Sequence, residues 1–167
     1  MEPEDLEMLY IWENDTTLWD QGSTITPYSR YILSKYIAES SLDIYEQKQL
    51  RLVIERIEDK AMMGMIDLYD FDPTHLRAGI GILIDPQFHN RGYGKEAIDL
   101  MTEYAFKVIH LHQLFAHIPE SNKISHHIFE QLDFIQTGVL REWHSTPSGY
   151  QDIIVMQKIN PQKPDRN

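Results

Sequence analysis

Apolar residues recur along this chain with two periods, and the switches between them lay out its elements. After Pro3, Leu6, Leu9 and Tyr10 follow a 3.6-residue period, with acids in the first turn where the helix dipole favours them, predicting a helix over 3–13. Thr26-Pro27 reads as a second helix start, with Tyr28, Tyr31, Ile32 and Tyr36 as an apolar stripe up to about Ser40. Residues 49–58 and 62–71 are extended runs around Asp59-Lys60 and predict an antiparallel hairpin. Beyond the break at Asp72-Pro73, residues 77–84 (RAGIGILI) are almost wholly apolar, the pattern of a central strand buried on both faces.

From Gly92 onward, Ala97, Ile98, Met101, Ala105, Phe106 and Ile109 make a long amphipathic helix. A strand over 113–118 ends at Pro119, and Ser121-Asn122 can cap a helix over 122–132 with Ile124, Ile128, Phe129 and Leu132 as its buried stripe. Residues 134–144 and 150–158 form a closing hairpin around Pro147-Ser148-Gly149. The final NPQKPDRN has no apolar anchor, so residues 1–158 are expected to form one domain and 159–167 a flexible tail. Mixed helices and strands place the chain in the α/β (α+β) class.

Composition narrows the function. A length of 167 residues fits one hydrophobic core. With 15 Lys+Arg against 26 Asp+Glu the net charge is −11, which repels nucleic acid and anionic membranes and favours cationic partners. The absence of cysteine removes disulfides, thiolate metal sites and cysteine nucleophiles. No apolar run reaches the ~18 residues of a membrane span, and the acidic MEPEDLEMLY does not read as a signal peptide, so a cytoplasmic location is expected. Neither His110/His112 nor His126/His127 has the i, i+4 spacing of a helical metal site, and no metal is expected. His117 reads as a core histidine or a reserve base; Trp12, Trp19 and the tyrosine stripe read as core or as an aromatic cage.

The chemistry concentrates in DPQFHNRGYGKEA, between the central strand and the long helix. Gly92 and Gly94 at a helix start let a ligand approach bare backbone, where first-turn amides are donors aimed at an anion such as a pyrophosphate. A plain strand-to-helix turn would read the same way. Neither GxGxxG nor GxxxxGK[ST] occurs, which disfavours dinucleotide-binding and P-loop readings.

The strand, RGYG, the helix ending TEYAF and the later ESNKISHHIFEQLDF together resemble the acetyl-CoA signature of the GNAT N-acetyltransferase superfamily. From about Pro3 to Lys158, including LYIWEND and GYQD, the chain is similar to spermidine acetyltransferases and ribosomal-protein N-terminal acetyltransferases. The resemblance implies a mixed, mostly antiparallel, twisted sheet flanked by helices. Where the family begins with a strand, this chain starts within a residue or two of the first helix, so that strand is expected either to be missing or to be cut off by a misplaced start.

It also implies that Ile82, Leu83 and Ile84 pair with the pantetheine arm and that the amides of Asn90, Arg91, Gly92, Tyr93, Gly94 and Lys95 take the pyrophosphate. His89 stands where the family usually has Gln or Arg, in a loop that works mainly through its backbone. Asn122 is expected to contact the pantetheine or acetyl end, or to cap its helix; Ser125 faces the same cleft and could protonate the sulfur, or bond back to its own helix. Phe129 stands where the family often has an acidic Tyr, Gly79 where spermidine acetyltransferases have a Glu, and Asp133 where a left-handed Gly is usual. Asp67 and Asp70 match two acidic residues of the spermidine acetyltransferase hairpin and are expected to attract the substrate.

The implied activity is direct acetyl transfer from acetyl-CoA to a small cationic amine, most simply a polyamine, by a homo-oligomer. An N-terminal peptide amine is the rival acceptor, and an acyl-CoA-binding module without turnover is the alternative class. An amine of pKa about 10.4 is only ~0.04% neutral at pH 7, so a base must remove a proton; the thiolate, at about 8.5, leaves without strong acid. A water held by Asp67 or Tyr69 is the expected base.

Overall fold

Strand register decides what faces the site. The structure, a computed structural model, describes residues 1–19, 26–40 and 43–161. Six strands, β1 (Leu50–Glu55), β2 (Met62–Asp72), β3 (Arg77–Ile84), β4 (Gln113–Pro119), β5 (Ile135–Thr146) and β6 (Gly149–Ile159), form one sheet in the order β1-β2-β3-β4-β6-β5. Only β3 and β4 run parallel; every other neighbouring pair is antiparallel. That parallel ladder covers only Arg77–Gly79 against Gln113–Phe115. Beyond Gly79 and Phe115 the two strands continue unpaired with each other to Ile84 and Pro119, so the sheet forks there.

One face packs on α5 (Tyr93–Lys107) and α6 (Lys123–Gln131), where Leu68, Ile80, Leu114 and Met156 meet Ile98, Met101 and Ala105. The other carries α1 (Leu6–Glu13) and α3 (Arg30–Glu39), whose Leu9, Trp12, Leu33 and Ile37 close over Met65 and Leu83. Short helices α2 (Thr16–Trp19) and α4 (Ile44–Gln47) lie in the connections. Strand β3 has helices over both faces, which explains its continuous apolar run. Among the described residues no strand precedes α1, and β1 is an edge.

Three local expectations are corrected. Helix α3 starts at Arg30, not at Thr26-Pro27, because Ser29 caps it by accepting from the Ile32 amide at 3.3 Å. Its buried side is Leu33 and Ile37, with Tyr36 partly buried against the same cluster; Tyr31 is 65% exposed and Ile32 48%, so of the tyrosine stripe only Tyr36 packs on the core. On α6, Ile124 is 66% exposed, outside the buried stripe. Asp133 does take the left-handed conformation at the end of α6, with φ 62. The terminal residues from 162 onward, in the expected tail, lie outside the described residues.

Candidate active site

The end of β3 and the start of α5 frame an anion cradle. Asp85 accepts from the Gln87 amide at 3.0 Å and from the Trp12 indole at 3.0 Å, fixing the turn after β3 to helix α1. The His89 ring donates from Nε2 to the Ile84 carbonyl at 2.8 Å, so this side chain braces the loop. Asn90 (φ 59) and Gly92 (φ 86) are both left-handed. The first helical bond of α5 runs from the Glu96 amide to the Gly92 carbonyl, leaving the amides of Tyr93, Gly94 and Lys95 ahead of the ladder. A Cβ on Gly92 would meet nothing within 4 Å, so the approach to those amides is open. Arg91 is exposed beside them, its guanidinium 6.0 Å from the Phe88 ring centroid. A pyrophosphate fits this loop through backbone donors and the helix dipole.

The fork itself is lined by aromatic rings. Tyr69 on β2 is paired with Gly79 on β3, and its ring lies so close that a Cβ on Gly79 would come within 3.0 Å of three ring carbons. Phe115 meets Tyr69 edge-on at 5.7 Å, and His117 stands 5.2 Å from Phe115 and 6.5 Å from Tyr69. Burial pushes the Tyr69 phenol up to about 12, against the pull of the His117 backbone N–H, with Asp70 and Asp67 adding to the rise. At neutral pH this phenol is therefore a donor, not a base. His117 is neither buried nor in the core; it lines an open cleft of about 430 Å³ with Asp70, Phe115, Gln113 and Gln157. Asp70 reaches that cleft because the β2–β3 register shifts after Tyr69 and Asp70 itself has φ 49.

Asp67 lies elsewhere. It is directly opposite Arg51 on β1, whose Nε and Nη2 donate to it at 2.5 and 3.1 Å, while Nη1 donates to Glu13 of α1 at 2.7 Å. All three side chains are 20% exposed or less. Burial works against the guanidinium's charge, but the Asp67 carboxylate more than offsets it and raises the Arg51 pKa. Asp67 is thus already paired with a cation of the chain, whereas Asp70 is exposed to the cleft.

At the start of α6, Asn122 caps the helix by accepting from the Ser125 amide at 3.1 Å. The Ser125 hydroxyl makes no bond back to its helix among the described residues and is half-buried. Phe129 is 2% exposed, with its ring 4.9 Å from Phe134 and perpendicular to it, so it is committed to the core. Among the described residues no cluster of His, Asp or Glu has the makings of a metal site.

Residues 1–135 match the family model for an acetyltransferase (GNAT) domain. The chain belongs to the GNAT acetyltransferase family. It is an acetyltransferase domain with acetyl-CoA as donor, and its six-stranded sheet is the GNAT fold. It is 26% identical over 159 residues to the spermidine N(1)-acetyltransferase of Escherichia coli K12, covering 93% of this chain and 81% of that one. With the spermidine N(1)-acetyltransferase of Vibrio cholerae it shares 26% over 110 residues, 66% of this chain and 63% of that protein's length. Two solved structures of the Vibrio cholerae enzyme are both 24% identical to it. One, in complex with CoA and spermine, superposes with TM-score 0.86 over 96% of this chain and 92% of that one. The other, dodecameric and in an intermediate state, superposes with TM-score 0.82 over 100% and 95%.

Sequence reasoning did not find Arg51, Glu13 or the Trp12–Asp85 bond. Each depends on which residues face one another across strands or between α1 and the sheet. The lone Arg in the alternating run LRLVIE was the available signal for the first.

Proposed function

We propose that this protein transfers the acetyl group of acetyl-CoA to a primary amine of a small polycation, with the polyamines as the substrate class. The observation that carries the reading is the exposed Asp70 beside His117 at the fork, in a chain of net charge −11. Within the cleft Asp72 is taken up by Arg77 at 3.2 Å, which leaves Asp70 to attract a cation. In this reading the backbone of Ile82, Leu83 and Ile84, freed where β3 leaves β4, pairs with the pantetheine. The loop of Asn90 to Lys95 takes the pyrophosphate, and Asn122 orients the amide end of the arm while capping its own helix.

Ser125 then lies on the same helix face, with a hydroxyl available to the departing sulfur. Asp67 is taken up by its pair with Arg51 and leaves the acceptor to Asp70, and Tyr69 positions the thioester end with its ring. Phe129 supports α6 from beneath. The amine enters from the α1 and α3 side, attacks the carbonyl carbon, and CoA leaves as thiolate. Support for the acceptor class also comes from the polyamine names of the relatives. A homo-oligomer and a cytoplasmic location belong to the same reading; among the described residues no helix is long and apolar enough to cross a membrane.

The test is product identification. The protein is incubated with acetyl-CoA and an equimolar mixture of spermidine, a diamine, a neutral-chain monoamine and a peptide with a free N-terminus. Mass spectrometry is expected to find mainly acetylated spermidine and diamine. Acetyl on the peptide alone would transfer the reading to N-terminal acetylation, and no product at all would leave an acyl-CoA-binding module.

A further inference from the structure

We propose that His117 is the general base of the transfer, taking the first proton from the acceptor ammonium where β3 and β4 part. The inference rests on the acetyltransferase reading above and adds the residue that makes the amine nucleophilic. Its first support is position. His117 is two residues beyond Phe115, the last β4 residue paired with β3, and therefore shares the face of Phe115 on the free limb of the fork. Its ring is exposed to the cleft, 6.5 Å from Tyr69, and Asp70 lies in the same cleft. An ammonium drawn to Asp70 arrives beside an imidazole.

The second support is elimination among the neighbours. Tyr69 stays protonated at neutral pH, since burial holds its phenol near 12. Asp67 is bound by two Arg51 nitrogens, and Gly79 carries no side chain. Burial lowers the His117 pKa and Asp70 partly restores it, so the imidazole is neutral and able to accept at pH 7. Among the described residues the other elements lining this cleft bring no competing charge: β6 contributes Val155 and Gln157, β3 contributes Gly79, and Asp72 and Arg77 are paired with each other.

The step balances. One ammonium proton passes to a His117 ring nitrogen, and the freed lone pair forms the N–C bond to the thioester carbonyl as the C–S bond breaks. The second proton, released from the new amide nitrogen, ends on the CoA sulfur, and the imidazolium returns the first to solvent. No oxidant or further reactant is needed.

The test uses the full chain with spermidine and acetyl-CoA, comparing wild type with His117→Ala and His117→Gln, each checked for an unchanged near-UV spectrum. Both variants are expected to lose about 100-fold or more in kcat. Their acidic limb in kcat against pH should disappear, while acetyl-CoA affinity by calorimetry stays within about twofold of wild type. Added imidazole should restore part of the activity of His117→Ala only. Either variant keeping the acidic limb with more than a third of wild-type kcat would overturn the assignment. A wild-type protein that binds acetyl-CoA yet acetylates no amine would instead overturn the acetyltransferase reading, and His117 with it.

Discussion

The ring of Tyr69 lies over Gly79, its partner across the β2–β3 ladder, and fills the space that any side chain at position 79 would need. Gly79 is where the resemblance to spermidine acetyltransferases expects a Glu, so the two features are one arrangement: an aromatic ring from β2 stands where a carboxylate from β3 would project. Gly79→Ala should therefore destabilise the protein by about 1 to 3 kcal/mol through overpacking. Tyr69→Ala in the same chain should recover much of that loss. Urea denaturation of the two single variants and the double variant measures the coupling, and additive effects would contradict the contact.

Tyr69 also makes a prediction about alkaline pH. Its phenol titrates near 12 in the folded protein against about 10 in the unfolded chain, so the folded state holds its proton more tightly. The resulting stability is complete below pH 10 and is lost as pH rises to 12, to the extent of about 2 to 3 kcal/mol. Tyr69→Phe should show a shallower decline over that window. Identical slopes for variant and wild type would place the phenol in water.

Arg51 holds two carboxylates together, and removing it leaves them facing each other at low exposure. Arg51→Met is expected to cost about 3 kcal/mol or more at pH 7. Neutralising one of the two carboxylates as well, in Arg51→Met/Asp67→Asn, should recover part of that loss. Thermal melts of the single and double variants at pH 7 check the sign; a double variant no more stable than Arg51→Met would mean that packing, not charge, is what Arg51 supplies.

These contacts mark where the sequence stopped being readable. The central strand was legible because RAGIGILI has no polar residue after Arg77, and the start of the long helix because Gly92 and Gly94 stand there. The Arg51–Asp67 pair was not, since it requires the β1–β2 register, which alternation alone leaves free by two residues. Asp67 and Asp70 looked equivalent as acids on one hairpin. The register shift after Tyr69 separates them, sending one into an ion pair and the other to the cleft. Tyr28 and Tyr31 misled because an amphipathic residue satisfies an apolar stripe while its ring lies at the surface.

Gly92 tests the cofactor loop. With φ 86 and open space above it, Gly92→Val forces a β-branched side chain into a conformation it resists and points it where a pyrophosphate would lie. Calorimetry should show acetyl-CoA affinity reduced by about tenfold or more, equivalent to about 1.4 kcal/mol. Unchanged affinity in a folded variant would remove the pyrophosphate from this loop.

Phe129→Tyr tests the core position of that ring. A hydroxyl added at a site 2% exposed, against Phe134, needs a partner the core does not offer, and the variant should lose about 1 to 3 kcal/mol. A Tyr variant of wild-type stability with raised turnover would instead put position 129 within reach of the departing sulfur.

The most direct measurement is the ratio of kcat/KM for spermidine to that for a peptide N-terminus, followed as salt is raised from about 0.05 to 0.5 M, over which the Debye length falls from roughly 14 to 4 Å. The ratio is expected to lie well above one at low salt and to fall as the charge of Asp70 is screened, whereas that of an Asp70→Asn variant should start low and barely move. A ratio at or below one, or one indifferent both to salt and to Asp70, would contradict a polycation as the acceptor.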